Sequence, residues 1–326
     1  MKALNRAISN AFCKTLPKMS HTEREALEAG TTWWDAELFS GDPDFSKLAD
    51  LPYAQLNTEE QAFMNNEVQR LCELVEDFKV TEAGDLPDHV WSYLKDHGFF
   101  GLCIPKEYGG KGFSALAHSE VVAKIATRSI AAAVTVMVPN SLGPAELLLH
   151  YGTQEERDKY LPGLASGKEI PCFGLTNPNA GSDASSIPDI ATVVEREDGM
   201  HELEVTVNKR YITLAPVATL IGLAVKVEDP SGLLPEELQE RINEGRDITV
   251  LLVPSDTPGL DIGRRHKPLD IAFMNGPIRG EKIRLPLSSI LGGTSNIGLG
   301  WSMLMDCLSV GRAISLPSLA SAGGHV

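Results

Sequence analysis

The sequence predicts an α+β protein with a helical N-terminal domain, a middle antiparallel β domain and the first helix of a further C-terminal part. Apolar residues recur at helical spacing up to about residue 170. From Pro171 to about Leu291, strand-like runs separated by turn-forming residues dominate. Helical spacing then returns from Gly298 to Ala322. Because helices and strands occupy separate blocks, this order favours an α+β arrangement over an alternating βαβ one.

Residues 1–57 are predicted to be an N-terminal extension. Thr22 and Glu25 have the spacing of a capping box that opens a short helix. We expect the adjacent Trp33 and Trp34 to pack on the body of the protein or on a second subunit. A membrane-surface role for the extension is an alternative that depends on these two residues alone.

Residues 58–170 are predicted to form the N-terminal helical domain. Thr58 and Gln61 match a capping box, which marks the start of a helix. The following run, Ala62–Phe78, has the apolar spacing of a single helix with one buried face. The residues on that face are Val68, Leu71, Leu74, Val75 and Phe78.

The rest of this domain has four further signals. Asp88–Gly98 is predicted to be a helix that ends at its glycine, and Lys106–Ser114 a glycine-rich loop. Ser119–Val138 is rich in Ala and Val, which indicates a helical stretch buried on most sides. Thr153 and Glu156 form another capping box and open the next helix.

Residues 171–295 are predicted to form the middle β domain. Asp198-Gly199 separates two strand-like runs, as expected for a hairpin turn. In the second run, apolar residues alternate with polar neighbours, as in a half-buried strand. These apolar residues are Leu203, Val205 and Val207. Residues 296–326 are predicted to be the first helix of a part that follows the β domain.

The composition argues against several partners. A net charge of −15 disfavours nucleic acid, whose phosphates require clustered Lys and Arg. The one basic run, Arg264–Lys267, is typical of a solvated loop, and a phosphate or interface contact is the alternative. The longest apolar runs, Ile130–Val138 and Val217–Val225, are too short to cross a bilayer.

The cysteines indicate a reducing compartment. Five cysteines are scattered along the chain without a CxxC pair, which predicts neither a zinc ribbon nor a disulfide framework. The N-terminus lacks the pattern of a secretory signal. We therefore predict a cytoplasmic protein, with peripheral attachment to the inner membrane left open and no metal site.

Two stretches are candidate binding sites. The loop Thr176–Asp183 follows a strand-like segment and combines residues that favour turns. Gly181 allows consecutive N–H groups to point the same way and bind an anion, and Ser182 adds a hydroxyl; the alternative is a plain turn. Tyr211 and Thr213 lie two apart in a strand, so they share a face that could receive a flat ring; cross-strand packing is the alternative.

Common catalytic motifs are absent from the sequence. There is no nucleophile elbow, zinc-protease motif, P-loop or Rossmann fingerprint. The adjacent His118, Ser119 and Glu120 are set aside as a catalytic group, because neighbouring positions on a helix point in different directions.

Six stretches together resemble the acyl-CoA dehydrogenase family, in the family's order over roughly residues 58–326. An ordered series of this kind is more specific than any single loop. The stretches are Ile104–Gly110, His150–Gly167, Cys172–Ser185, Asn208–Ala215, Pro254–Leu269 and Gly298–Arg312. RYITLAP and NGPIRG are most similar to the large bacterial long-chain members, which act in fatty-acid β-oxidation.

The resemblance implies an acyl-CoA dehydrogenase-like fold with FAD between the middle and C-terminal domains. It identifies residues 296–326 as the first helix of an incomplete C-terminal helical domain, the start of a truncated helical bundle. The implied reaction is α,β-dehydrogenation of a medium- or long-chain fatty acyl-CoA, with electrons passing to an electron-transfer flavoprotein. It also implies a homo-oligomer in the full-length form. The positions that match the family's FAD contacts are Phe173, Leu175, Thr176, Gly181, Ser182, Tyr211, Ile212 and Thr213. The positions that match its substrate contacts are Ser182, Ser309 and Arg312.

The sequence departs from the family pattern at four positions. Asn177 stands where the family usually has an acidic residue, Tyr211 replaces a common Trp, and Leu214 replaces a common Asn. In some members the catalytic glutamate precedes the arginine of the last helix, and here that position is Gly311. In most others the base lies further downstream. We therefore assign no catalytic residue and expect the base beyond residue 326.

The sequence leaves two alternatives to a dehydrogenase open. One is a related flavoprotein of the same fold, such as an acyl-CoA oxidase or a hydroxylase-like homologue, which would differ in its electron acceptor. The other is a truncated, non-catalytic chain that binds CoA or a partner protein. A chain that purifies without flavin but binds acyl-CoA would favour the latter.

Overall fold

The computed structural model describes residues 6, 19, 23–24, 27–28, 34–141 and 143–325. Its helices are labelled α1–α12 and its strands β1–β7 in chain order. The helices are Asp35–Leu38, Ser46–Ala49, Thr58–Phe63, Gln69–Leu74, Asp77–Ala83, Asp88–Asp96, Ala115–Ala126, Ile130–Met137, Pro144–Tyr151, Gln154–Ser166, Glu236–Asn243 and Gly300–His325. The strands are Pro171–Gly174, Ile190–Glu195, His201–Thr213, Leu220–Glu228, Ile248–Pro254, Leu260–Asp261 and Asn275–Pro286.

The end of the predicted extension packs largely on itself. Trp34 donates a hydrogen bond from its indole Nε1 to the Asp44 carbonyl at 2.8 Å. Its ring lies against Phe45 with a centroid separation of 5.2 Å. The contacts described for Trp34 are therefore local and do not include the body of the protein, which was one of the two expected docking surfaces; the other, a second subunit, stays a prediction. Trp33 and the Thr22–Glu25 capping box lie outside the described residues.

The predicted capping box at the start of α3 is displaced by one residue. Asn57 is the N-cap: its Oδ1 accepts from the Glu60 N–H at 2.9 Å, and Glu60 Oε2 accepts from the Asn57 N–H at 2.9 Å. Thr58 is the first helical residue. The prediction of Thr58 with Gln61 was wrong because asparagine caps a helix at least as well as threonine.

The predicted single helix over Ala62–Phe78 is also wrong. A π-helical turn at Met64–Val68 changes the helical phase, and extended backbone at Val75 and Glu76 separates α4 from α5. Val68, Leu71 and Val75 are buried as predicted. Phe78 lies beyond the break and is 74% exposed, because it no longer shares their face.

The Ala- and Val-rich stretch forms two helices, α7 and α8, instead of one. Ser129 separates them: its hydroxyl accepts from the Ala132 N–H at the start of α8. Every α8 residue from Ala131 to Met137 is buried, which confirms the predicted burial. A serine at a helix boundary satisfies an N–H group that would otherwise lack a partner.

Two local sequence signals are confirmed. At the start of α10, Glu156 N–H donates to Thr153 Oγ1 at 3.1 Å, and Thr153 N–H donates to Glu156 Oε2 at 2.7 Å. Between β2 and β3, the Arg196 N–H donates to the Met200 carbonyl at 2.8 Å across the Asp198-Gly199 turn. Gly199 has φ +79°, which is the conformation for which glycine is favoured in such turns.

The seven strands of the described residues form one sheet in the order β1-β4-β2-β3-β7-β6, with β5 paired to β4. The sheet is mixed, because β4 runs parallel to both β1 and β2. The remaining pairings are antiparallel. The predicted antiparallel sheet was therefore wrong in part: turn signals identify hairpins, but they carry no information about pairings between strands distant in sequence.

The apolar core joins the three parts of the chain. Buried residues of the helices and of the sheet form one continuous cluster. A second cluster contains Ala180 of the candidate loop and Ile187 just after it, together with Met303, Leu304 and Cys307 of α12. The apolar side of α12 thus belongs to the same core as this loop.

The described residues contain neither a disulfide nor a membrane span. Cys72, Cys103, Cys172 and Cys307 are free thiols. Among the helices that the structure describes, none has the length and apolar content needed to cross a bilayer.

Candidate functional site

The candidate loop leaves β1 and lies directly against the second half of β3. The Arg210 N–H donates to the Thr176 carbonyl at 2.9 Å. The ammonium group of Lys209 donates to the Leu175 carbonyl at 3.0 Å. The two stretches singled out from the sequence therefore form one surface, although they lie far apart along the chain.

A buried polar network fixes this junction. The Asp189 carboxylate accepts from Lys209 Nζ at 2.7 Å, from the Asn208 N–H at 2.7 Å and from Asn177 Nδ2 at 3.1 Å. The Lys209 and Asp189 side chains are 0% and 1% exposed. Burial lowers the pKa of Lys209, while the charge of Asp189 opposes that shift. Paired and fully hydrogen-bonded charges are the form in which ions are tolerated inside proteins.

The loop itself is a tight turn. The N–H groups of Asn177 and Ala180 each donate to the other's carbonyl, and the Asn179 N–H donates to Asn177 Oδ1 at 2.8 Å. Asp183 braces the following turn by accepting from Ser186 Oγ and Ser185 Oγ, and these hydrogen bonds lower its pKa. The side chain of Asn177 thus links this turn to the buried network.

Gly181 and Ser182 are the open part of the loop. Both are exposed, and within the described part of the chain neither has a hydrogen-bonding partner. Gly181 is not among the positive-φ glycines, so the left-handed conformation that would align its N–H group with the next is not adopted. A Cβ at Gly181 would meet no described atom within 4 Å, which leaves room for a ligand to approach the backbone.

Tyr211 lies on a β-bulge. Lys209 pairs with Ile278 and Ile212 with Gly276, so β3 has one more residue than β7 between these pairs. Tyr211 has φ +60°, and the residue is 50% exposed. Bulges commonly redirect a side chain next to a functional site. Here the bulge directs Tyr211 outward, while Ile212 is 3% exposed and packs in the core.

Asn275, on β7, holds the bulge in place. Its Nδ2 donates to the Tyr211 carbonyl at 3.0 Å and to Thr213 Oγ1 at 3.3 Å. The residue is 3% exposed, yet its Oδ1 is buried without a partner among the described residues. A buried acceptor without a partner is uncommon, and a bound ligand that donates a hydrogen bond would satisfy it.

Phe173, on β1, is half-buried and lies opposite Gly222 of β4. A Cβ at Gly222 would lie 2.5 Å from the Phe173 ring, so the glycine makes room for that ring. Phe173 and Leu175 pack at the edge of the cluster that contains Ala180. Both predicted positions thus lie beside the loop.

Among the described residues, the predicted substrate contacts on α12, Ser309 and Arg312, form no hydrogen bond or ion pair with the loop. Ser309 and Arg312 are exposed, one turn apart on the same face. Ser309 Oγ donates to the Asp306 carbonyl at 2.7 Å, and Arg312 has no side-chain hydrogen bond or ion pair among the described residues. Gly311 is buried and offers no proton-accepting side chain.

Sequence reasoning did not identify Lys209, Asp189 and Asn275 as residues that organise the site. The signal for Lys209 was available, because it continues the inward-facing series Leu203, Val205 and Val207 at a spacing of two. A lysine at such a position needs a buried acidic partner. Asp189 and Asn275 had no comparable signal, because their roles depend on pairing between distant strands.

The comparison with protein families agrees with this geometry. Residues 54–168 match the model of the acyl-CoA dehydrogenase N-terminal domain, and residues 172–280 match that of the acyl-CoA dehydrogenase middle domain. The chain belongs to the acyl-CoA dehydrogenase family. Asp189, Tyr211 and Asn275 all lie in the middle-domain match, and so does the whole of the candidate loop.

Individual relatives match parts of the chain. The probable acyl-CoA dehydrogenase FadE10 of Mycobacterium tuberculosis is 30% identical over 256 residues, which cover 78% of this chain and 36% of the relative. Protein HemX of Proteus mirabilis is 47% identical over 100 residues, covering 31% of this chain and 55% of the relative. The chain thus spans between about a third and just over half of these two curated relatives.

A solved structure confirms the fold. Butyryl-CoA dehydrogenase from Megasphaera elsdenii matches with a TM-score of 0.68 and 23% identity, covering 82% of this chain and 66% of that one. This likeness supports the α+β architecture in which the loop and the β3 bulge occur.

Proposed function

We propose that this chain forms the flavin-facing side of an FAD-dependent dehydrogenase that introduces a double bond between the α and β carbons of a fatty acyl-CoA. Membership of the acyl-CoA dehydrogenase family supports this reaction class. A medium- or long-chain substrate, an electron-transfer flavoprotein as acceptor and a homo-oligomer remain part of the proposal. So do the domain limits 1–57, 58–170, 171–295 and 296–326.

The observation that carries the proposal is the outward-facing Tyr211 beside a loop that a buried ion pair holds in place. The available polar atoms also fit FAD. The N–H groups of Gly181 and Ser182 can donate to an anionic group, and Asn275 Oδ1 can accept from a ring N–H or a hydroxyl. An exposed aromatic ring supplies a stacking surface of the kind a flat ring system requires.

Each residue then has a defined role. Tyr211 covers one face of the ring system, Thr213 offers a hydroxyl oriented by Asn275, and Ile212 anchors the bulge in the core. Phe173, Leu175 and Thr176 form the adjoining wall. When bound, FAD supplies the acceptor for the hydrogen that leaves the β carbon.

Substrate contacts are proposed for Ser182, Ser309 and Arg312. Arg312, which has no ion-pair partner in the described part of the chain, is a cation suited to a phosphate, and the two serines offer hydroxyl groups. Gly311 supplies no base, so we assign removal of the α-proton to none of the residues described above. This glycine also favours a second candidate function, in which the chain binds flavin and acyl-CoA without turnover.

Binding of FAD tests the proposal directly. The purified chain is incubated with FAD and desalted, and its visible absorption and FAD affinity are measured. We expect Tyr211→Ala to weaken FAD binding by about tenfold, since aromatic stacking contributes on the order of 1 kcal/mol. Tyr53→Ala is the matched control, because Tyr53 is 94% exposed and remote in sequence from the loop and bulge. Wild-type protein that retains no flavin, or equal affinities for both variants, would overturn the assignment.

Turnover separates the alternatives. Acyl-CoA substrates of different chain lengths are added to the FAD-loaded chain with an artificial electron acceptor, and in parallel with oxygen. Oxidation by the acceptor supports a dehydrogenase, and peroxide formation supports an oxidase. Binding of acyl-CoA without either product supports the non-catalytic alternative.

A further inference from the structure

The basic run singled out from the sequence forms one wall of a cavity. Arg264, Arg265, His266 and Lys267 line a space of about 590 Å³ with Pro277 and Arg279. Arg279 lies on β7, so it joins the run only through the fold. The cavity volume falls within the range typical of small-molecule sites, about 300–1,000 Å³.

The positive charges that line this cavity are not neutralised by carboxylates of the described residues. The side chains of Arg264, Lys267 and Arg279 form no hydrogen bond or ion pair within the described part of the chain. Asp261 is the cross-strand neighbour of Arg279 but makes no ion pair with it there. In a chain with a net charge of −15, a concave cluster of uncompensated cations is a local exception. Such a cluster attracts anions.

Arg265 is held in the cavity wall by backbone carbonyls. Arg265 donates from Nη1 to the Gly84 carbonyl at 2.6 Å and from Nη2 to the carbonyls of Ala272 and Phe273 at 3.2 and 3.3 Å. These carbonyls fix the guanidinium without neutralising its charge. Gly84 has φ +74°, and a Cβ there would lie 2.9 Å from Lys267 Nζ. The glycine therefore permits the two cations to converge on its backbone.

His266 adds an imidazole ring to the cavity lining. His266 Nδ1 is buried and has no hydrogen-bond partner among the residues that the structure describes. The His266 ring lies 4.9 Å from the Tyr211 ring, so the cavity adjoins the residue proposed to cover the flavin. An imidazole N–H beside several cations is a suitable donor to an anionic oxygen.

We propose that this cavity is a binding site for a diphosphate group. Arginine and lysine recognise phosphate oxygens through charge-assisted hydrogen bonds, and arginine does so with two parallel donors. The three cations without partners and the one fixed guanidinium match a ligand that carries several negative charges on adjacent phosphates. The diphosphate belongs to a nucleotide other than FAD, because the anionic group of FAD is already proposed to lie at the Gly181 and Ser182 N–H groups.

The test is calorimetric titration of the full chain with sodium pyrophosphate. We expect saturable binding to one site that weakens as salt is added. The double variant Arg264→Gln/Arg279→Gln removes two exposed, uncompensated cations and is expected to weaken binding at least tenfold. The matched control, Arg196→Gln/Arg284→Gln, removes two arginines that already have carboxylate partners near the β2–β3 hairpin. It is expected to retain wild-type affinity.

Further titrations test whether the cavity is separate from the FAD site and whether it prefers a diphosphate to a carboxylate ligand. If pyrophosphate still binds at saturating FAD, the site is separate from the cofactor site, as proposed. Four results would overturn the proposal: displacement of pyrophosphate by FAD, no binding tighter than about 1 mM, equal loss in both double variants, or a polyglutamate peptide that binds more tightly than pyrophosphate.

Discussion

The Lys209 ammonium lies 2.7 Å from the Asp189 carboxylate, and both groups are shielded from solvent. Lys209 also reaches the Leu175 carbonyl, and Asp189 also holds Asn177. One ion pair thus fixes the geometry of the candidate loop against β3.

Lys209→Met is expected to destabilise the fold by about 3–5 kcal/mol, because it leaves the Asp189 carboxylate buried without its counter-charge. Urea denaturation measures the loss. The double variant Lys209→Met/Asp189→Asn removes both charges and is expected to recover part of the stability. If the free energy of unfolding of Lys209→Met were within about 1 kcal/mol of the wild-type value, the ion pair would not be needed to fix this junction.

Asn177→Asp replaces the donor to Asp189 with a second carboxylate at hydrogen-bonding distance. We expect a loss of about 1–3 kcal/mol near neutral pH. Repulsion raises the pKa of the new group in the folded state, so its destabilising effect is smallest at low pH and grows as pH rises. The difference in unfolding free energy between variant and wild type, measured from about pH 4 to about pH 8, checks this sign. A constant difference would contradict it.

Asn275→Leu removes the side chain that bridges the Tyr211 carbonyl and Thr213 Oγ1. We expect a loss of about 1–3 kcal/mol from the buried groups left without a donor. FAD affinity should fall as well, because the bulge that directs Tyr211 is released. The control is Ile278→Leu, a conservative change of a buried residue in the same strand. Wild-type affinity in Asn275→Leu would exclude a role for this bridge in the proposed site.

Gly222→Ala places a methyl group 2.5 Å from the Phe173 ring. The ring must move, and overpacking of this kind costs about 1–3 kcal/mol. Gly181→Ala is the matched control for stability, because no described atom lies within 4 Å of its added Cβ. Thermal or urea unfolding of the two variants checks the prediction. Equal stabilities would mean that Phe173 is free to shift at little cost.

His118 is expected to control part of the acid stability. It is 1% exposed, both ring nitrogens lack a partner among the described residues, and burial lowers its pKa from 6.5 to about 4. Between these values the unfolded state binds the proton and the folded state does not, so stability falls as pH decreases. The expected loss from about pH 6.5 to about pH 4.5 is roughly 2 kcal/mol.

Urea unfolding of His118→Leu over this pH range checks that prediction, since the variant should lose less stability on acidification than wild type. His89→Leu is the control, because His89 is exposed near the start of α6. An unchanged acid profile in His118→Leu would assign the acid sensitivity to other groups.

Much of the local structure was predictable from the sequence. The Thr153–Glu156 capping box and the Asp198-Gly199 turn depend on residues at most a few positions apart, so their chemistry is visible in the chain itself. The errors arose where equally local signals competed. Asn57 displaced Thr58 as a cap, and the extended backbone at Val75 and Glu76 ended the helix before Phe78, which is exposed.

The sequence by itself determined the order of helical and β segments, the position of the turned loop at the end of β1, and the resemblance that names the family. The tertiary structure alone decided that the sheet is mixed, that Asp189 neutralises Lys209, and that Asn275 holds Tyr211 outward. The tertiary structure also placed Arg279 of β7 beside the basic run Arg264–Lys267. The physical reason is that periodicity and capping act over one or two turns of chain, whereas strand pairing and buried-charge compensation join residues that only the completed fold makes neighbours.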